Sequence, residues 1–300
     1  VHHGSAVALG PDGAALITRG RADTPVLPRS ALKPLQLVAM LRAGLELPGP
    51  LLALSSASHS GETFHLDGVV EILAGAGLDV AALQNTPDLP LDEAERLRWQ
   101  RAARPASSLA QNCSGKHAAM LATCAINGWP VTGYRDPAHP LQQKIAATVS
   151  ELAGEPIAAT TVDGCGAPAF AISLTALARA FAVLAQAAPD TLEGRVAEVI
   201  RQYPQWLGGT GREVTALIEA VPGLIAKDGA EGVYAAALPD GRAVALKIAD
   251  GSVRARQAVM VDLLSRLQAP ENAPGQLAAT SARTVLGHGV PVGAVLPVSF

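Results

Sequence analysis

Gly232-Val233-Tyr234-Ala235-Ala236-Ala237-Leu238, Pro239-Asp240-Gly241-Arg242 and Ala243-Val244-Ala245-Leu246-Lys247-Ile248 read as two apolar strands joined by a tight turn. The chain opens in the same way. Ser5–Gly10 alternates weakly, Pro11-Asp12-Gly13 turns, and Ala14–Arg19 returns. Between these hairpins the apolar spacing is helical, over Ala31–Leu41, Glu62–Ala76, Gly115–Asn127, Pro140–Ala153 and Ser173–Ala187, then the shorter Leu192–Tyr203 and Glu213–Ala220. Ser30 suits the cap or first turn of the first of these helices, where Pro34 is tolerated. Leu51–Leu54 reads as a short buried strand, Arg254–Leu267 as a late helix and Val290–Val298 as a last strand. Strands at both chain ends around a helical middle predict an α/β sandwich. Its antiparallel sheet is expected from about residues 1–28 and 222–300, flanked by helices, with a helical subdomain over about 29–221, all within a single domain of residues 1–300.

Composition removes several classes of function. Of 300 residues, 49% are hydrophobic and 16% charged, and mean hydropathy is +0.26, so the chain has the apolar surface for a packed core. A net charge of −3 with no run of Lys or Arg offers nothing to a phosphate backbone, and 3% aromatics is too few for base stacking. No apolar stretch approaches the roughly 18–20 residues of a membrane span. Val1-His2-His3-Gly4 has neither the basic nor the apolar region of a signal peptide. Three cysteines, Cys113, Cys124 and Cys165, form no disulfide framework and suit a reducing compartment. A cytoplasmic protein is expected, without nucleic-acid or membrane partners. Only five of the 23 basic residues are Lys, the one whose pKa falls readily on burial.

Three of those lysines sit in blocks that suggest chemistry. In Arg29-Ser30-Ala31-Leu32-Lys33-Pro34, Ser30 and Lys33 are three apart on one helix face, and a neutral amine there can take the serine proton. Ser55-Ser56-Ala57-Ser58-His59-Ser60-Gly61-Glu62 is a polar turn suited to a polar substrate. Gln111-Asn112-Cys113-Ser114-Gly115-Lys116-His117 opens a helix with Cys113, Lys116 and His117 on one face. Val162-Asp163-Gly164-Cys165-Gly166-Ala167-Pro168 is a glycine-bracketed turn presenting a second thiol, and the two blocks together suit a borderline-soft metal. Ala226-Lys227-Asp228-Gly229 precedes the C-terminal hairpin, with a glycine that permits close backbone approach. A surface cap, a hydrophilic loop, two small core cysteines and a solvated turn are the plain readings of the same blocks.

The order of the blocks resembles the layout of serine β-lactamases and penicillin-binding proteins: Ser-x-x-Lys on a helix, a serine loop, then Lys-x-Gly beside a C-terminal hairpin. Taken together, the blocks around Ser30, Ser58, Cys113, Cys165 and Lys227 resemble the Rhizobium etli-type L-asparaginases of the asparaginase II family, from His2 to about Arg256. That resemblance implies a single catalytic domain hydrolysing L-asparagine to L-aspartate and ammonia, and a homodimer. It implies two Ser–Lys pairs, Ser30 with Lys33 and Ser58 with Lys227, with Ser30 attacking and repulsion between the amines favouring a neutral Lys33. It also implies zinc held by Cys113, Lys116 and Cys165, with Asp163 beside it. His59, Asn112 and His117 are candidates for substrate contact, as is Asp163. A glutaminase or other amidase on the same fold, or a non-catalytic zinc-binding protein, are the competing readings. Asp228 in place of the Thr of a Lys-Thr-Gly element and the thiol blocks argue against β-lactam hydrolysis.

Overall fold

The hairpins at the two chain ends meet in one sheet of the computed structural model, which describes residues 1–267 and 283–298. In chain order, β1 (Gly4–Leu9) and β2 (Ala15–Arg19) lead to α1 (Lys33–Arg42), α2 (Gly49–Ser55), α3 (Thr63–Gly75), α4 (Glu93–Arg101), α5 (Ser114–Ile126) and α6 (Pro140–Ala153). A small hairpin follows, β3 (Ala159–Val162) with β4 (Pro168–Ala171). Next come α7 (Leu174–Gln186), α8 (Leu192–Gln202), α9 (Pro204–Leu207) and α10 (Glu213–Ala220). The chain then returns through β5 (Ile225–Gly229), β6 (Val233–Ala237), β7 (Ala243–Ile248) and α11 (Val253–Arg266) to the hairpin β8 (Arg283–Gly287) and β9 (Val290–Val295).

The main sheet has the order β2-β1-β7-β6-β5 and is antiparallel throughout. The two ends of the chain are joined at β1 and β7, in register from Gly4 opposite Ile248 to Leu9 opposite Ala243. β5 and β6 are buried at every residue, which a strand shows when both its faces are covered. Among the helices, α7 and α11 both pack on β7. The expected α/β class, with an antiparallel sheet built from both chain ends, is therefore the observed one.

Four local expectations are corrected. Leu51–Leu54 is helical, inside α2, because Pro50 sits in its first turn; four apolar residues alone cannot separate a strand from a buried helix. Ser30 caps no helix: it lies in a 3₁₀ turn, Arg29–Leu32, ahead of α1, and its side chain makes no capping bond. The last strand pairs with β8 in a separate hairpin instead of joining the main sheet. The helical portion contains β3 and β4, too short to stand out by alternation. Residues 268–282 and 299–300 of the segment assigned to the sheet lie outside the described residues.

One glycine sets how the sheet meets the first helix. β5 is an edge strand, and its Gly229 lies so close to the 3₁₀ turn that an added Cβ would run into the Pro28 carbonyl oxygen, 3.3 Å from the Ala31 nitrogen. Gly229→Ala is therefore expected to push β5 off this turn and destabilise the protein by about 1–3 kcal/mol, read by urea denaturation. An unchanged midpoint would show that the two segments have slack.

Candidate active site

Ser58 is placed by a loop held from both sides. Its N–H donates to Leu207 O, the His59 N–H to Asn112 O and the Ser60 N–H to Gly208 O. The loop thus behaves like a strand without a sheet, and Ser58 has little freedom. Two amines converge on its hydroxyl: Lys33 Nζ lies 3.1 Å from Ser58 Oγ and Lys227 Nζ lies 3.0 Å from it. Lys33 comes from the first turn of α1 and Lys227 from the middle of β5. Both lysines are buried. Lys33 also donates to the Ala57 carbonyl and to Cys113 Sγ, the latter at 3.1 Å.

Two buried amines around one hydroxyl repel, and Asp228 offsets this. Lys227 Nζ reaches Asp228 Oδ1 at 2.6 Å, and Arg256 and Arg212 approach Oδ2 at 3.5 and 3.3 Å. Burial works against the Asp228 carboxylate, yet Lys227, Arg256 and Arg212 outweigh it and hold its pKa far below the usual range. Burial lowers Lys227 to about 8, Asp228 resisting and the Lys33 charge assisting.

Ser30, Ser58, Asn112, Arg212, Asp228 and Arg256 line a cavity of about 470 Å³, within the range of small-molecule sites. Ser30 also borders a recess of about 10 Å³ with Lys33, Lys116 and Asp163. It is more exposed than Ser58, and its hydroxyl has no hydrogen bond among the described residues. The Ser30–Lys33 pair suggested by the spacing is therefore not closed; Lys33 is turned onto Ser58. Arg29, next to Ser30, has φ 55°, a left-handed conformation costing a non-glycine residue roughly 1–3 kcal/mol. Its Nε–Asp163 Oδ1 ion pair of 2.6 Å holds it there. Burial opposes the Asp163 charge, but Lys116 and Arg29 keep its pKa below normal.

His59 and His117, expected to touch substrate, are instead fully buried and do not line the cavity. His59 Nε2 lies 2.8 Å from Ser114 Oγ, and His117 Nδ1 lies 2.7 Å from Tyr134 Oη. Burial holds both rings far below their usual pKa, with His65 and Lys33 adding to the effect at His59 and Lys116 at His117. They support the walls as neutral rings. Arg29, Arg212 and Arg256 are the residues that motif spacing missed. Only Arg29 carried a signal, its place beside Ser30; the others reach the cavity through folding alone.

Cys113 and Cys165 pack together with Ala167, and Cys165 is buried in the β3–β4 turn, not exposed by it. Lys116 Nζ lies 3.2 Å from Cys165 Sγ. The Cys113 hydrogen bond lowers Cys165 to about 5 against burial, with Lys116 assisting, while the same bond and burial push Cys113 up to about 12. Burial disfavours the Lys116 ammonium, but Cys165, Cys113 and Asp163 prevail and raise its pKa. A thiolate, a second thiol and an amine make a donor set that fits zinc. Among the described residues no three His, Cys, Asp or Glu side chains gather as a metal cluster.

This arrangement goes with the amidohydrolase class: the family model described as L-asparaginase II matches residues 1–297. The chain belongs to the L-asparaginase II family. Similar solved structures include a beta-lactamase from Mycobacterium bovis, 15% identical with a TM-score of 0.46, covering 93% of this chain and 95% of that one. The native form of Mglu is 15% identical with a TM-score of 0.43, covering 93% of this chain and 63% of that one. No curated protein matches the sequence. No described helix is long and apolar enough to cross a membrane.

Asp228→Asn leaves buried cations without their shared carboxylate, and an expected loss of about 3–5 kcal/mol is measurable by urea denaturation at pH 7. A loss under about 1 kcal/mol would mean that the cations do not need it.

Proposed function

We propose that the protein hydrolyses L-asparagine to L-aspartate and ammonia through an acyl-enzyme on Ser30. The observation that carries this reading is the pair of lysine amines on Ser58 Oγ, at the wall of the cavity onto which Ser30 opens. Ser30 is the accessible serine, and hydrogen bonds to an attacking group often tighten only when substrate is bound. Ser30 Oγ attacks the side-chain amide carbon while Lys33 takes its proton, and the C–O bond gives a tetrahedral oxyanion. Ser30 and Gly229 bring backbone from two segments to the same wall, the kind of fixed dipoles that stabilise such an oxyanion. Lys33 hands the Ser30 proton through Ser58 to a neutral Lys227, which delivers it to the amide nitrogen; the C–N bond breaks, and ammonia leaves. Water then attacks the aspartyl ester, its proton returns through the same lysines, and Ser30 is regenerated.

Cys113, Lys116 and Cys165 are the residues that would hold zinc, whose Lewis acidity there would serve to orient a polar end of the substrate. Because the Lys116 ammonium must lose its proton to ligate, zinc binding weakens as pH falls. Metal analysis of the purified protein is expected to give about one zinc per chain, lost in Cys165→Ala. Equal metal content in both would remove these residues from the role.

Ammonia release tests the reaction. Ser30→Ala is expected to lower kcat for L-asparagine by at least ~10³-fold, and Ser58→Ala by about 10²-fold. Activity kept by Ser30→Ala and abolished by Ser58→Ala would transfer the attack to Ser58. A chain that releases ammonia from L-glutamine alone would be a glutaminase; one methylene is worth only about 1–3 kcal/mol in a pocket. Proton relay to a base needs the neutral amine, so kcat/KM should rise with pH through about 8, where Lys227 deprotonates. A profile flat from pH 7 to 9 would deny Lys227 this part.

A further inference from the structure

A glycine loop places one arginine where sequence spacing gave no reason to expect it. Gly208-Gly209-Thr210-Gly211 runs from the end of α9 to Arg212, just ahead of α10. Gly209 has φ +134°, and an added Cβ would run into Ser60 Oγ, so only glycine fits. Thr210 donates to the Glu62 carboxylate through its N–H and its hydroxyl, each at 2.8 Å. The Thr215 hydroxyl donates to Gly209 O at 2.8 Å, and Ser60 N–H and Oγ both donate to Gly208 O. The loop is therefore fastened to the segment that carries Ser58, and Arg212 is delivered to the same cavity by a rigid support.

Its guanidinium is only lightly engaged. Among the described residues the Arg212 side chain makes one hydrogen bond, Nη2 to Asp228 Oδ2 at 3.3 Å, while Lys227 holds the other oxygen of that carboxylate at 2.6 Å. Arg256, the other guanidinium on the cavity wall, is held by Glu213 Oε2 at 3.0 Å and Gly229 O at 3.1 Å, yet its buried Nε has no hydrogen-bond partner. Two guanidiniums and the Lys227 amine thus meet two carboxylates, Asp228 and Glu213, beside a cavity that also holds Ser30. The wall has unused donors of the fork geometry that suits a carboxylate.

We propose that Arg212 binds the α-carboxylate of the amino-acid substrate and so sets its selectivity for α-amino acid amides over simple amides. This rests on the amide-hydrolysis reading above. With the carboxylate on Arg212, the side-chain amide is directed along the cavity toward Ser30. Asp228 acts as a positioning residue, holding the guanidinium at the wall without saturating it. Because the loop is already fixed, binding demands little ordering of the protein, and the contact contributes in full to discrimination.

The test is equilibrium binding to the metal-loaded full chain by titration calorimetry, with L-aspartate and with 3-aminopropanoate, which lacks the α-carboxylate. Wild type is expected to bind L-aspartate at least ~30-fold more tightly than 3-aminopropanoate. In Arg212→Gln that ratio should fall below about 3-fold by loss of L-aspartate affinity alone, and Arg212→Lys, which keeps the charge but not the fork, should fall between. A ratio unchanged in both variants overturns the proposal. So does an equal weakening of both ligands, which marks a purely structural arginine. Loss of the ratio on chelation of wild type, with the ratio kept in Arg212→Gln, assigns the carboxylate to the metal and overturns it too. Ammonia release by wild type separates the two readings. Release from L-asparagine with an unchanged ratio refutes only the role of Arg212, whereas no release from any amide refutes the reaction itself.

Discussion

Two lysine amines share one serine hydroxyl in the interior of this protein, and most of the surrounding structure follows from making that tolerable. Ammonium groups at such range in a medium of low dielectric repel by several kcal/mol, so one of them has to lose basicity or acquire a counter-ion. Both happen at Lys227, which is lowered to about 8 and tied to Asp228. Asp228 in turn needs Arg212 and Arg256, and Arg256 needs Glu213 and the Gly229 carbonyl. The cluster therefore ties together β5, α10, α11 and the glycine loop through charge, where apolar contacts alone would leave them free to slide.

A second balance of charge lies on the other side of Lys33. Cys113 accepts from Lys33, Cys165 stands against Lys116, and Asp163 lies between Arg29 and Lys116. Lys33 belongs to both balances. Its α1 position is consequently fixed from two directions, by the serine loop and by the thiols, and the 3₁₀ turn with Arg29 in a left-handed conformation keeps Ser30 at the boundary of the two.

Much of this was legible along the chain. The strand pairs at the two ends are marked by weak alternation in the first, apolar runs in the second and Asp-Gly turns in both, and they appear as β1–β2 and β6–β7. Ser30, Lys33, Ser58, Asn112 and Lys227 could be picked out because each lies in a short block with its own local logic, and folding does gather them. What could not be read are relations that cross the chain. Nothing local says that Lys33 will turn to Ser58 instead of Ser30, three residues away. Arg212 reaches the cavity because its loop is fastened to residues about 150 positions earlier. The two histidines misled for a related reason: adjacency to a site in sequence placed them behind its wall, where burial keeps them neutral. Leu51–Leu54 failed as a strand because an apolar tetrapeptide carries no period, and the decisive residue was the proline at its head.

The pairing of β1 with β7 bears on how the molecule comes into being. Residues 4–9 pair on one side with the nearby residues 15–19 but on the other with residues 243–248, so the two ends of the sheet are knit by contacts of very high sequence separation, the kind that form late and slowly. On a translating ribosome the helical middle has local contacts to collapse upon well before β5, β6 and β7 have been made. Ser30, Lys33 and Ser58 emerge early, while Lys227 and Asp228 arrive about 170 residues after Ser58. The nascent chain accordingly passes most of its synthesis without Lys227 and Asp228, and the electrostatic cluster can close only once β5 has been made. Because Lys227 and Asp228 are carried by β5, the strands that close the main sheet are also the ones that bring the second half of the charged cluster.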